Sequence, residues 1–171
     1  TWSSTASTMF LYPNCSGAGN GDLCFTKNEK DHGVQFAEVN GDGLIDLIKA
    51  RDGFGNAGSA VWLNSGSGWV ESTVITYPKC SSSSNNYLCF VRSGTDGEDN
   101  GVRIIDVNGD GLDDIVKARQ TQESAIWLNT GKGWQDPTLL SDPVNYPNCN
   151  SANSNFCFVN NIGVDINGIR L

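Results

Sequence analysis

Three stretches of this chain are copies of one another: YPNCSGAGNGDLCF (residues 12–25), YPKCSSSSNNYLCF (77–90) and YPNCNSANSNFCF (146–158). Between them, GVQFAEVNGDGLIDLIKAR (33–51) and GVRIIDVNGDGLDDIVKAR (101–119) agree at 12 of 19 positions. AVWLNSGSGW (60–69) likewise matches AIWLNTGKGW (125–134). Cys15 to Cys80 is 65 residues and Cys80 to Cys149 is 69, a period of about 67. A chain with such a period is built from one supersecondary unit used again, so whatever one copy folds into, the other must fold into as well.

Within a unit the apolar residues fall in short β-branched runs separated by Gly, Asn, Ser and Asp. That pattern gives strands and tight turns rather than helices. The expected strands are Val34 to Val39, Leu44 to Ala50, Ser59 to Asn64 and Trp69 to Tyr77. Four antiparallel strands in a period near 67 suit one blade of a β-propeller, with the Cys-containing loop crossing to the next blade. The expected fold is all-β: tandem four-stranded, propeller-blade-like repeats. Residues 1–32 read as a last strand plus Cys loop, 33–100 and 101–160 as two complete repeats, and 161–171 as the start of a further, degenerate one. Two blades cannot close a ring, so the units are expected to belong to a longer array or to need neighbours.

Two turns carry chemistry. Both have the form acid-x-Asn-Gly-Asp-Gly-Leu-x-Asp, with Glu38, Asn40, Asp42 and Asp46 in the first and Asp106, Asn108, Asp110 and Asp114 in the second. Side-chain oxygens at positions 1, 3, 5 and 9, with the carbonyl of Leu44 or Leu112 at position 7, supply five or six hard donors. Ca²⁺ takes 6–8 oxygens in a flexible shell, which water would complete; Mg²⁺ demands stricter geometry and fits less well. An EF-hand shares the opening but needs a bidentate Glu at its twelfth position. Here that position holds Lys49 or Lys117, and the flanks are short β-branched runs rather than helices. The expected cofactor is therefore Ca²⁺ at two sites, each joining two strands. A plain Asp/Asn/Gly surface turn would have no need of acids at the same positions twice.

EVNGDGLIDLI and DVNGDGLDDIV resemble the calcium loops of FG-GAP and VCBS repeats, which form the β-propeller of integrin alpha chains and of many surface proteins. WLNTGKGW is similar to repeats of toxin-complex B subunits. The resemblance covers roughly residues 33–78 and 101–147. It implies calcium ligation by Glu38, Asn40, Asp42, Leu44 and Asp46, and by Asp106, Asn108, Asp110, Leu112 and Asp114. Glu38 departs from the usual first Asp. In the third copy Ile169 stands where the central Asp belongs, so no site is expected there.

The cysteines fall as Cys15/Cys24, Cys80/Cys89 and Cys149/Cys157, each pair inside its own turn-rich loop. This spacing reads as three local disulfides and an oxidising, extracellular compartment. Thiolate metal ligands are the weaker alternative, since no C-x-x-C occurs and His32 is the single histidine. Eleven basic against 19 acidic residues give a net charge of −8, which argues against nucleic acid and anionic membrane as partners. No apolar run reaches the ~20 residues of a membrane span.

The remaining features are expected to be structural. Trp62, Trp69, Trp127 and Trp134 recur at fixed positions and read as blade-to-blade packing rather than as sugar-stacking platforms. Lys49-Ala50-Arg51 and Lys117-Ala118-Arg119 read as solvated strand ends, and His32 and Asp113 as exposed. Asn14 lies in a glycosylation sequon, and Ser81 to Ser84 form a Ser cluster that is either flexible turn or O-glycosylated. With cysteines paired and one histidine, a nucleophile–base set has little to draw on, so no enzyme is expected. The expected role is a calcium-stabilised extracellular or cell-surface module for binding or adhesion, its partner a protein or glycan. The alternative is a structural subunit of an extracellular filament or shell, built from copies of itself head to tail.

Overall fold

The computed structural model describes residues 15, 23–52, 58–78, 80, 88–92, 98–120, 124–136, 149 and 157–159. The last strand expected ahead of the first Cys loop, the Asn14 sequon, the Ser81–Ser84 cluster and the degenerate segment 161–171 lie outside them.

The described residues form an all-β structure without α-helix, and none of it is a helix long and apolar enough to cross a membrane. A small hairpin pairs β1 (Thr26–Lys27) with β2 (Lys30–Asp31). Two four-stranded antiparallel sheets follow, each a simple meander. The first runs β3 (Val34–Ala37), β4 (Asp46–Ala50), β5 (Ser59–Asn64), β6 (Trp69–Glu71). The second runs β7 (Val102–Ile105), β8 (Asp114–Lys117), β9 (Ala125–Asn129), β10 (Trp134–Gln135). Equivalent residues pair in both: Ala37 with Asp46 and Ile105 with Asp114, then Leu47 with Trp62 and Ile115 with Trp127. The repeat in sequence is thus a repeat in register.

Of the four strands read in the first unit, the third, Ser59–Asn64, has the bounds read from the sequence and the other three are shorter. The first strand stops at Ala37 and the second starts at Asp46, because residues 38–45 close on themselves through the acidic side chains. The fourth ends at Glu71 rather than Tyr77. There Ser72 takes over: its amide donates to Val61 O, and its hydroxyl accepts the amides of Ile75 at 2.9 Å and Val74 at 3.3 Å, turning the chain off the sheet. The β1–β2 hairpin was not anticipated. Its turn rests on Asn28 and Glu29, both at positive φ (53° and 62°), inside a charged stretch with no apolar alternation to mark a strand.

Side chains of β4 and β8 alternate between faces, and both faces are covered. Ile48 and Ile115 share a central core with Val39, Val61, Tyr77, Phe90, Val102 and Trp127, drawn from both sheets. Leu47 points the other way, with Leu23, Val34 and Trp62. Val116 does likewise, with Ala118, Ile126, Phe158 and Val159. The two sheets are therefore layers with a core between them and a smaller core beyond each. This double burial corrects the solvated reading of the basic triplets: Lys49, Lys117 and Arg119 are buried. Arg119 donates to Asp99 O and Asn100 Oδ1 at 3.2 Å.

Each crossover returns against the sheet it leaves. Phe90 N donates to Ala50 O and Phe158 N to Ala118 O, while Val91 and Val159 bridge Arg51 and Arg119 in parallel. The disulfides Cys80–Cys89 and Cys149–Cys157 close loops with sequence separations of 9 and 8 at these crossovers, and Cys15–Cys24 closes one with a separation of 9 ahead of β1. Gly33 and Gly101 let the return pass close. A Cβ on Gly101, at φ +71°, would stand 2.8 Å from Ala118 O and 3.0 Å from a Val159 methyl. Gly101→Ala is expected to cost at least about 2 kcal/mol in urea unfolding, from left-handed strain plus displaced backbone. Gly109→Ala has nothing within 4 Å to meet and should lose less.

Candidate metal loops

Both acidic turns connect the first two strands of their sheets and share one hydrogen-bond scheme. The Asp at position 9 is the anchor. Asp46 and Asp114 are fully buried. Asp46 Oδ1 accepts Asn64 N at 2.7 Å and Oδ2 accepts Val39 N at 3.1 Å. Asp114 repeats this with Asn129 N at 2.7 Å and Val107 N at 3.0 Å. One carboxylate thus ties the loop's start to the end of the third strand.

At the loop tip, Asp42 Oδ1 accepts Leu44 N and Asp110 Oδ1 accepts Leu112 N, both at 2.8 Å. Their Oδ2 atoms accept the side-chain amides of Asn40 and Asn108 at 2.9 Å. Gly41 and Gly43, at φ +80° and +79°, turn the backbone inward, and Gly109 and Gly111 do the same. The first positions differ. Asp106 accepts amides of Gly109 (2.7 Å), Asp110 (3.2 Å) and Gly111 (2.9 Å). Glu38, one methylene longer, accepts Gly41 N at 2.8 Å. Among the described residues, no group of three or more His, Cys, Asp or Glu side chains stands placed to hold a metal ion.

The electrostatics differ between ends of the loop. Burial pushes the Asp46 carboxyl up to about 6, against the pull of its two amide bonds, and the charges of Asp42 and Glu38 push the same way. Asp114 is raised for the same reasons. Asp106 is lowered, chiefly by the Gly111 amide. Each loop therefore gathers negative charge around a carboxyl that ionises reluctantly, an arrangement a cation would relieve.

The tryptophans hold the loops from outside. Trp69 Nε1 donates to Ile45 O and Trp134 Nε1 to Asp113 O, each at 3.0 Å. Trp62 and Trp127 are buried in the cores. Two residues read as exposed are not. His32 is buried. Asp113 is half-buried and joins the two loops: its carboxylate accepts Glu38 N, with Oδ2 at 2.6 Å, and its amide donates to Glu38 O at 2.8 Å. Beside it, Asn129 Nδ2 donates to Val39 O at 2.9 Å. Sequence reasoning missed this pair because its partners lie 75 and 90 residues apart. The one available signal was that Asp113 breaks the repeat at a position its copy fills with Ile45. An open cavity of about 440 Å³, lined by Thr76, Pro78, Thr130, Lys132 and Trp134, lies where the two units meet. No protein-family model, curated protein or solved structure matches the chain.

Proposed function

We propose that this chain is a calcium-stabilised extracellular repeat module of propeller-blade-like units, with a binding or adhesive rather than catalytic role. The observation that carries the reading is the duplication. Two loops of one hydrogen-bond scheme place acids at positions 1, 5 and 9, an Asn at 3 and a carbonyl at 7 between the same two strands. The ligands would be Glu38, Asn40, Asp42, Leu44 and Asp46, and Asp106, Asn108, Asp110, Leu112 and Asp114. The hard-oxygen donor set fits Ca²⁺. A bound ion would fix the first two strands of each small unit. Three disulfides fit a secreted or cell-surface location. Trp62 and Trp127 are buried and Trp69 and Trp134 are tied to the loops by their indole nitrogens, so of the four it is Trp134, lining the cavity between the units, that stands at a candidate ligand site. The cavity between the units is the better place for a protein or glycan ligand. The continuous core through both sheets favours the second reading as well, a structural subunit built from stacked units.

Calorimetric titration with calcium tests the first reading, with two sites expected. Its pH dependence follows from Asp46. A carboxyl that titrates near 6 must lose its proton to ligate, so affinity at the first loop is expected to be full above pH 7 and to fall as pH drops through 6. At pH 5.5 the loss should be about fourfold relative to pH 7.5, with protons released on binding. Affinity that is flat across this range would remove Asp46 from the ligand set.

A further inference from the structure

In a chain with 19 acids and a net charge of −8, the cavity of about 440 Å³ between the units has no acid in its described lining. It holds one cation, Lys132, one side-chain amide, Gln135, two hydroxyls, Thr76 and Thr130, and one flat aromatic, Trp134. The aromatic is fixed before any ligand arrives. Its Nε1–H donates to Asp113 O at 3.0 Å, and its ring meets the buried Tyr77 edge-on, with centroids 5.5 Å apart at 66°. Tyr77 is held in turn, its hydroxyl donating to Leu88 O at 2.7 Å. A ring held at two points loses no further freedom on binding, and with its N–H already engaged it offers a ligand apolar ring area. The polar groups around it are open to solvent. Thr130 Oγ1 donates to Gly133 O at 2.9 Å and keeps its lone pairs for another donor. Lys132 and Gln135 are exposed, and no acid among the described residues pairs with Lys132.

The repeat separates the scaffold of this cavity from its lining. Residues 130–135 (TGKGWQ) align with 65–70 (SGSGWV), and 76–78 (TYP) with 11–13 (LYP). What builds the turn is shared. Gly66 and Gly131 both stand at positive φ, 78° and 73°. The hydroxyl of Ser65 or Thr130 donates to the carbonyl of Gly68 or Gly133 at 2.9 Å. What differs is Lys132 for Ser67, Gln135 for Val70 and Thr76 for Leu11. One difference brings a cation where the copy has a hydroxyl, and two bring a hydrogen-bonding group where the copy is apolar. They come from two separate parts of the chain and line one cavity.

We propose that this cavity binds a carboxylated sugar: one pyranose face lies on the Trp134 ring, its hydroxyls bond Gln135, Thr76 and Thr130, and its carboxylate meets Lys132. This rests on the reading of the chain as a binding module and names the ligand class. A pyranose has a face of C–H groups and a rim of hydroxyls, which matches a flat ring bordered by an amide and hydroxyls. An apolar peptide side chain would cover the same ring but leave those polar groups without the partners they have in water. One lysine with no acid partner matches one anionic group on the ligand. A polyanion is disfavoured by the net charge of −8, whereas a single carboxylate touching Lys132 lies well inside the ~8 Å over which salt leaves that attraction effective.

The test is an NMR titration of the full oxidised, isotope-labelled chain in calcium-containing buffer. The Trp134 indole N–H and the Gln135 side-chain amide report the cavity, and the Trp69 indole N–H is the internal control. The probes are methyl glucuronide, the methyl glycoside of N-acetylneuraminic acid, methyl glucoside, acetate and a Glu-rich hexapeptide. At least one of the two acidic sugars is expected to move both cavity signals and not Trp69, and to bind about fivefold more tightly than methyl glucoside, the size of one exposed ion pair. Lys132→Ser, which installs the first unit's own residue, should abolish that preference and leave methyl glucoside binding as it was. Gln135→Val should weaken acidic and neutral sugars alike. Both side chains are exposed, so the melting curves of the two variants should match wild type. Equal binding of acidic and neutral sugars, a preference that survives Lys132→Ser, or the same shifts from acetate alone overturns the carboxylated-sugar assignment while the binding role stands. A peptide that binds more tightly than the sugars overturns it as well. No shift from any probe overturns the proposal and removes the cavity as a ligand site, while the calcium titration reports the metal reading separately.

Discussion

Removing calcium is expected to lower the melting temperature of this chain by roughly 10–20 °C. Two sites held at about 100-fold over their dissociation constants each contribute about 2.7 kcal/mol to a folded state that alone binds the ion. In a protein of this size 1 kcal/mol moves the midpoint by about 2–4 °C. Asp42→Ala combined with Asp110→Ala takes the position-5 carboxylate from both loops. Each substitution also orphans the Leu44 or Leu112 amide, so the baseline stability falls by about 1 kcal/mol apiece even in chelator. The decisive readout is the difference between calcium and chelator in thermal unfolding. The wild type should show the full shift and the double variant close to none. A wild type that melts at the same temperature in both buffers defeats the calcium reading.

The second large effect is expected at position 9 and does not need the metal. Asp114→Ala leaves the buried amide of Asn129 and the partly buried amide of Val107 without their acceptor. An orphaned buried donor costs about 1–3 kcal/mol, so the pair should cost about 2–5 kcal/mol in denaturant unfolding carried out in chelator. The burial that raises the Asp114 carboxyl offsets part of this loss, because the ionised acid is itself held at some cost. Asp110→Ala under the same conditions should lose about 1 kcal/mol. Equal losses at the two positions would mean that the position-9 carboxylate does not hold the strands together.

What the sequence alone could determine here is local. The acidic loops span nine residues, and the Cys pairs stand eight or nine apart. The strand-forming runs lie within one period. Turn chemistry, donor spacing and disulfide reach all act over such distances, and the duplication let one copy check the other. The strand ends were less legible, because a strand stops where side chains such as Asp46 and Ser72 take backbone amides from the ladder. What only the tertiary structure decided is which faces meet. Lys49, Lys117 and Arg119 look like solvated strand ends until a second layer and a returning crossover cover both sides of β4 and β8. Asp113 looks like a spare surface acid until the first unit brings the Glu38 amide to it across 75 residues. Val39 and Val107 are the same residue in the same loop, one sealed and one open. Nothing in the repeat distinguishes them, because burial belongs to the neighbour each one has, and a neighbour in space is not written in the spacing of a single unit.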